Sequence, residues 1–306
     1  MRDWLRLVRL PNHATAVADV LAGFLVCSGM RALDWPPAAC WLAIVASVCF
    51  YAAGMVLNDV YDVALDSEER PERPLPRGAI GLRQAAAVGS GLLAAGSVAA
   101  CATAVVSGSP WPAFVGAALT AAVWAYDRHA KSTPLGPAVM GGCRALNWLL
   151  GMTAAGGPAG LPQWLIPLGM GTYVAGITVY ARDEAGRSRT ATLLCGMVLM
   201  LGGLVLAAGH VWLPARSLSM LGGAPLPVTT WLALWGIIGA SILARAAAAL
   251  VDPAPGRVQA AVGNAIMSII TLDAVLVLAS CGERWAVVVL LLLAFFMFGR
   301  RLVPPT

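Results

Sequence analysis

The sequence predicts an all-α, polytopic membrane bundle, and three observations carry that prediction. Apolar residues make up 59% of the chain and charged residues only 11%. With a mean hydropathy of +0.78, that balance belongs to integral membrane proteins rather than soluble domains. Second, the apolar residues gather into ten stretches, roughly 14–30, 38–57, 80–106, 110–126, 134–155, 161–181, 190–212, 228–250, 259–280 and 285–299. Most approach the ~20 residues a helix needs to cross the hydrocarbon core. Third, with the N-terminus inside, sixteen of the twenty Lys and Arg residues fall on one side. Only Arg31, Arg216 and Arg284 fall on the other, and Arg144 lies within a stretch. That asymmetry is the positive-inside pattern. It places the N-terminus and the polar loops in the cytoplasm, with a bacterial inner membrane as the expected location.

No hydrophilic stretch is long enough for a separate domain, so residues 1–306 are read as one integral membrane unit. Residues 1–12 are too short to span. Arg2, Arg6 and Arg9 recur at helical spacing while Trp4, Leu5 and Val8 face away, the pattern of an interfacial helix on the inner leaflet. Trp35, Trp41, Trp111, Trp164, Trp212, Trp231 and Trp285 lie near the outer ends of the stretches, as an aromatic belt would. Gly91, Ala95 and Ala99, at four-residue steps, suit close helix packing. The seven cysteines show no paired spacing and read as small packing residues. The three histidines form no ligand spacing. The net charge of +5 is used in orienting the loops and gives no sign of nucleic-acid binding.

The second stretch runs into Asn58-Asp59-Val60-Tyr61-Asp62-Val63-Ala64-Leu65-Asp66. At about 100° per residue, the three carboxylates fall within a ~60° arc of one helical face. Three anions on one face repel unless a cation sits among them, and Mg²⁺ is the natural candidate, taking a few carboxylates together with phosphate oxygens and water. Arg70-Pro71-Glu72-Arg73-Pro74-Leu75-Pro76-Arg77-Gly78 follows. Pro74 and Pro76 cannot continue a helix. The resulting compact loop is expected to bring Arg70, Arg73 and Arg77 near the acids, where guanidinium groups suit phosphate.

Two further loops repeat the theme of an acid followed by a base just after a stretch. Tyr126-Asp127-Arg128-His129-Ala130-Lys131 contains the only lysine of the chain, a compact partner for diphosphate. Tyr180-Ala181-Arg182-Asp183-Glu184-Ala185-Gly186-Arg187 carries two adjacent acids, which diverge by ~100° on a helix, so only one points at a given metal. Together these loops imply a cavity open at the cytoplasmic side. Inside the stretches, polar groups are expensive and tend to be functional or paired. Arg144 and Asn147 share a helical face and are candidates for a role in the cavity, and Asn12 is a candidate for contacting a polar substrate. Asp19 and Asp273 read as structural, paired with Arg144 or with hydroxyls.

The Asn58-Asp59-x-x-Asp62-x-x-x-Asp66 run, Arg73-Pro74-Leu75-Pro76-x-Gly78, Lys131 and Arg144/Asn147 resemble the UbiA superfamily of intramembrane prenyltransferases. Leu10-Pro11-Asn12-His13-Ala14-Thr15-Ala16 and Arg70-Pro71-Glu72-Arg73-Pro74 resemble its EboC-like branch. The resemblance implies nine or ten transmembrane helices around a central cavity, and Mg²⁺-dependent transfer of an isoprenyl group from isoprenyl diphosphate to a small polar or aromatic acceptor. The lipid bilayer would admit the prenyl chain from the side. By position, Asn58, Asp59, Asp62 and Asp66, with Asp183 and Glu184, would hold metal; the five acids among them would carry the catalysis, and Asn58 would also touch substrate. Arg73, Arg77, Lys131, Tyr180 and Arg182 would bind the donor, and Asn12, Arg144 and Asn147 the acceptor. The sequence departs from the family in its second motif, Asp-x-x-x-Asp. Here Asp183 is followed by Arg187 in that register and Glu184 by Ser188, so the second acid is missing.

Three alternatives stand beside this. Terpene cyclisation or sugar-phosphate transfer to a polyprenyl lipid would use the same donor-binding end. A membrane transporter would account for the stretches and the buried acids, but not for carboxylates in helical register beside an Arg-Pro-Leu-Pro-Arg-Gly run. A CDP-alcohol phosphatidyltransferase would need an Asp-Gly-x-x-Ala-Arg opening, which is absent.

Overall fold

Residues 2–28, 35–184, 186–212 and 227–302 are described by the structure, a computed structural model. Each apolar stretch forms one long helix: α2 (His13–Ser28), α3 (Ala38–Tyr61), α5 (Leu82–Ser107), α6 (Trp111–Arg128), α7 (Gly136–Ala154), α8 (Leu161–Tyr180), α9 (Thr190–Trp212), α10 (Val228–Val251), α11 (Pro255–Cys281) and α12 (Glu283–Leu302). Two short helices, α1 (Arg2–Leu7) and α4 (Val63–Glu69), lie at the end of the bundle that carries the acidic motif. By length and composition, six helices are long and apolar enough to cross a membrane: the segment Leu10–Ser28 containing α2, then α3, α5, α9 (Thr190–Val211), α10 and α11. Arg31 and Arg216, expected on the outer side, lie outside the described residues.

A bundle of this kind has two apolar surfaces, one against other helices and one against lipid. Val98, Val105, Ile237, Leu291 and Phe298 are exposed around the perimeter, where lipid rather than water covers them. Inside, α2 is buried along almost its whole length, touching α3, α7, α11 and α12. It is the central helix that the polar positions of its neighbours face.

Without a hydrophobic drive between helices in lipid, small residues permit the close approaches. A Cβ on Gly176 would lie 2.6 Å from the Met200 amide nitrogen, so the α8 and α9 backbones touch there. Gly96 lies similarly against the Phe50 ring of α3. The expectation for Gly91, Ala95 and Ala99 is corrected: Gly91 and Ala95 are exposed on the lipid face and only Ala99 is buried. The α5 surface that meets α3 is the one carrying Gly89 and Gly96. A four-residue spacing marks a stripe, but does not reveal which stripe faces protein.

The aromatic belt also divides. Trp35, Trp41, Trp111 and Trp164 are exposed. Trp231 and Trp285 are core residues; Trp231 stacks on Trp235 with centroids 5.2 Å apart, and its Nε1 donates to the Val275 carbonyl at 2.8 Å. The Trp212 side chain lies outside the described residues.

The first twelve residues do not form one continuous helix. α1 ends at Leu7, which is buried against Val56, Leu75, Ile80 and Ala85, with Trp4 and Val8 packed beside it. Arg9 takes a left-handed backbone conformation (φ 50°, ψ 51°) before a 3-10 turn at Leu10–Asn12. That geometry costs a non-glycine residue about 1–2 kcal/mol, and strain of this sort persists where surrounding structure over-determines it. Here it aims the Arg9 side chain at the acidic motif.

Candidate functional site

α3 closes at Tyr61, and Asp62 (φ −93°, ψ 2°) separates it from α4. The single helical face expected for the three acids is therefore interrupted at its middle member. The i→i+4 ladder nevertheless continues: the Asp62 amide donates to the Asn58 carbonyl at 3.0 Å, and the Asp66 amide to the Asp62 carbonyl at 2.8 Å. The carboxylates stay on one side and share three cations, Arg9, Arg73 and Lys131. Asp66 accepts from Arg73 Nη1 at 2.7 Å. Asp59 lies 3.2 Å from Arg9 Nη2 and 3.7 Å from Arg73 Nη1. Asp62 lies 2.5 Å from Lys131 Nζ, which also reaches Asn58 Oδ1 at 3.3 Å. Asp59, Asp66 and Arg73 are buried, so these charges are held by each other rather than by water.

The prolines of the 70–78 loop produce this arrangement. The loop turns back under α4, with the Arg77 amide bonded to the Arg73 carbonyl and the Gly78 amide to the Leu75 carbonyl. Gly78 takes φ +73°, a conformation that favours glycine. Arg73 is thereby turned inward, whereas the expectation for its two neighbours is corrected. Arg77 pairs with Asp3 of α1. Arg70 acts on Glu184, whose carboxyl burial pushes above its ordinary range while the Arg70 guanidinium pulls it back. The loop thus links the two acidic motifs rather than placing three arginines on one.

Asp183 and Glu184 occupy the turn after α8, half-buried, and Arg182 is exposed. The Asp183 carbonyl accepts from Ser188 Oγ at 3.2 Å, so Ser188 serves the turn. Tyr180 is not brought to the site. It is buried, and its hydroxyl donates to the Ala246 carbonyl of α10 at 2.8 Å, tying α8 to α10.

Deeper in the bundle, Arg144 and Asn147 join the two acids read as structural. Arg144 Nη1 lies 2.9 Å from Asp19 Oδ2. Asn147 Nδ2 donates to Asp19 Oδ2 at 2.9 Å and to the Ala16 carbonyl at 3.0 Å, and its Oδ1 accepts from Ser47 Oγ at 2.6 Å. Asp273 of α11 faces Asp19 in the same cluster. Asn12 stands between this cluster and the mouth, beside the half-buried Tyr51.

Two residues at the mouth are not singled out as site residues by the sequence. Arg9 reads as a leaflet-facing arginine, and only its left-handed backbone turns it to Asp59. Asp127, at the end of α6, is 3% exposed and interacts with Lys131, Asp62 and Asp59. Its sequence signal is the acid-then-base pattern after a span, shared with the other two loops.

The donor set consists of hard oxygen ligands, which suit Mg²⁺. Among the described residues, no group of three or more His, Cys, Asp and Glu side chains is placed to hold a metal ion by itself. Mg²⁺ held here would need substrate phosphate oxygens and water to complete its shell.

A lipid-exposed helical bundle with a cluster of paired carboxylates and cations at one end defines an integral membrane protein with its charged chemistry gathered at that end. Comparison with known proteins agrees. Residues 17–268 match the UbiA prenyltransferase family, and the chain belongs to that family. Among curated relatives, digeranylgeranylglyceryl phosphate synthase of Metallosphaera sedula is 37% identical over 98 residues, covering 32% of this chain and 34% of its own length. The Natronomonas pharaonis enzyme of the same name is 31% identical over 159 residues, covering 51% and 54%. The matched segment thus spans about a third to a half of these relatives. Among solved structures, a UbiA homolog from Archaeoglobus fulgidus superposes over 97% of this chain and 98% of its own, with a TM-score of 0.64 at 14% identity. A structure described as digeranylgeranylglyceryl phosphate synthase in membranes gives a TM-score of 0.64 at 20% identity, covering 92% and 98%. At such identities the likeness is one of fold. These relatives are synthases of that one name and do not single out the EboC-like branch.

Proposed function

We propose that this protein transfers an isoprenyl group from isoprenyl diphosphate to a small polar or aromatic acceptor, with release of diphosphate. The observation that carries the reading is the mouth itself: Asn58, Asp59, Asp62 and Asp66 held beside Arg73, Arg9 and Lys131 at the polar end of the bundle. Membership of the family supports it, as does a solved neighbour described as bound to DMAPP and Mg²⁺, which matches this chain at a TM-score of 0.51.

In this reading Asn58, Asp59, Asp62 and Asp66, with Asp183 or Glu184, hold Mg²⁺. Bound there, Mg²⁺ would supply Lewis-acid neutralisation of charge on the diphosphate. Arg73 and Lys131 exchange their carboxylate partners in part for diphosphate oxygens, and as preorganised cations they stabilise the leaving group as the allylic C–O bond breaks. The apolar walls of the bundle keep bulk water from the allylic cation. The acceptor forms the new bond to that carbon, and its proton is taken up by the released diphosphate. Asn12, Arg144 and Asn147 orient the acceptor at the inner end.

The finer assignments belong to the same proposal: the EboC-like branch, a bacterial inner membrane, and a cytoplasmic N-terminus and mouth. The experiment is diphosphate release by purified protein with and without Mg²⁺, across C5 to C20 donors and a panel of acceptors. Acceptor-dependent, Mg²⁺-dependent release that is lost in Asp62→Ala and Asp66→Ala supports the reading. Full turnover in both variants, correctly folded, defeats it. Acceptor-independent release would instead indicate cyclisation or hydrolysis.

A further inference from the structure

The second acidic motif lacks one carboxylate. In its register, position 187 is an exposed arginine and position 188 a serine engaged with the Asp183 carbonyl. Across the mouth, α6 ends on an acid that the mechanism above does not use. Asp127 is 3% exposed, and its Oδ2 accepts no hydrogen bond among the described residues. The groups that surround it are Lys131, Asp62, Asp59 and Arg9. The sequence explains this placement: α6 stops at Arg128, and a 3-10 turn over Ala130–Ser132 folds Lys131 back toward α3. Asp127 and Lys131 are thereby turned to the mouth, while Arg128 is exposed over the Trp124 ring.

A carboxylate oxygen withdrawn from water without a donor is costly unless a cation completes its surroundings. Lys131 does not meet that need alone. Its Nζ is engaged by Asp62 at 2.5 Å and by the Asn58 side chain and carbonyl at 3.3 and 3.4 Å. Arg9 is likewise engaged by Asp59. Counting charges, Asp59, Asp62, Asp66 and Asp127 face Arg9, Arg73 and Lys131, so one negative charge is left over. An incoming diphosphate draws the cations toward itself and increases that deficit. A divalent ion arriving with the diphosphate removes it, and its preference for a small number of carboxylates suits a single added oxygen donor.

We propose that Asp127 supplies, from the end of α6, the metal-binding carboxylate that the turn after Asp183 lacks. The assignment rests on the diphosphate reading of the mouth. It names a ligand on a different helix from either acidic motif, and it predicts that an acid at 187 and an acid at 127 are interchangeable in function.

The competing role is that Asp127 only screens Lys131. The two are separated by Mn²⁺ as the probe, with inorganic pyrophosphate, on the purified full chain. Bound Mn²⁺ is followed by loss of the free-ion EPR signal against a protein-free pyrophosphate control. In Asp127→Asn the Mn²⁺ affinity should fall about tenfold or more, as even indirect disturbance of a metal site costs 10–100-fold. Asp127→Asn with Arg187→Asp should recover most of that loss. Asp127→Glu keeps the charge beside Lys131 but displaces the oxygens, and it should also bind Mn²⁺ more weakly. If Asp127 is a screen, Asp127→Glu binds Mn²⁺ as the unaltered protein does, and Asp127→Asn binds metal-free pyrophosphate more tightly with Mn²⁺ affinity unchanged. Either of those results overturns the assignment alone. Failure of the unaltered protein to take up Mn²⁺ with pyrophosphate overturns both the assignment and the diphosphate reading.

Discussion

Replacing Arg144 by Met tests whether the buried cluster of Asp19, Arg144, Asn147 and Asp273 fastens α2, α7 and α11 together. Asp19 is fully buried, and its Oδ2 receives both Arg144 at 2.9 Å and Asn147 at 2.9 Å. Met fills much of the space of the arginine stem but leaves the carboxylate without its counter-ion. Two unit charges about 4 Å apart interact by roughly 4 kcal/mol at an effective dielectric constant of 20. Breaking a buried pair by removing one partner typically costs about 3–5 kcal/mol, so Arg144→Met should destabilise by that order. Asp19→Asn removes the charge while keeping an oxygen for Asn147, and the double variant should recover more than half of the loss. The assay is SDS-induced unfolding in mixed micelles, followed by the fluorescence of the eleven tryptophans. The double-mutant cycle isolates the pair. A loss below about 1 kcal/mol for Arg144→Met, or a double variant no more stable than Arg144→Met, would refute the idea that this pair fastens α2 to α7 within the cluster.

Two other outcomes follow from particular contacts. Tyr180→Phe removes the bond to the Ala246 carbonyl and should cost about 1 kcal/mol of stability, while leaving the KM for the donor unchanged; a raised donor KM at unchanged stability would return Tyr180 to the substrate. Glu184 is raised above its ordinary 4.5 by burial, against the pull of Arg70. The folded state therefore binds more protons than the unfolded one, and stability falls as pH rises from 4.5 to the raised native value. Glu184→Gln should remove that slope from a pH series of unfolding midpoints; an unchanged slope would show that another group produces it.

The sequence by itself determined the class and pointed to most of the charged cluster proposed as the site. Among the described residues each apolar stretch coincides with a long helix, six of them long and apolar enough to cross a membrane, because hydropathy and length constrain a lipid-facing segment more tightly than any soluble one. Asn58, Asp59, Asp62, Asp66, Arg73 and Lys131 were legible because their chemistry lies in local spacing, and the prolines of the 70–78 loop require a turn wherever the helices sit. The pairing of Asp19 with Arg144 was legible for a related reason: charges inside an apolar stretch must find one another. The tertiary structure alone decided matters that depend on rotation and on long-range packing. Hydropathy does not say which stripe of α5 meets α3, so Gly91 and Ala95 face outward while Gly89 and Gly96 make the contact. It does not distinguish an interfacial tryptophan from Trp231, which lies stacked in the core. Three basic residues in one loop look alike in sequence, yet Arg73 meets Asp66, Arg77 meets Asp3 and Arg70 acts on Glu184. Arg9 and Asp127 reach the mouth only because a left-handed residue and the end of α6 turn them there. Spacing along a chain fixes which groups share an element; the rotation of each helix against its neighbours fixes which groups share a site.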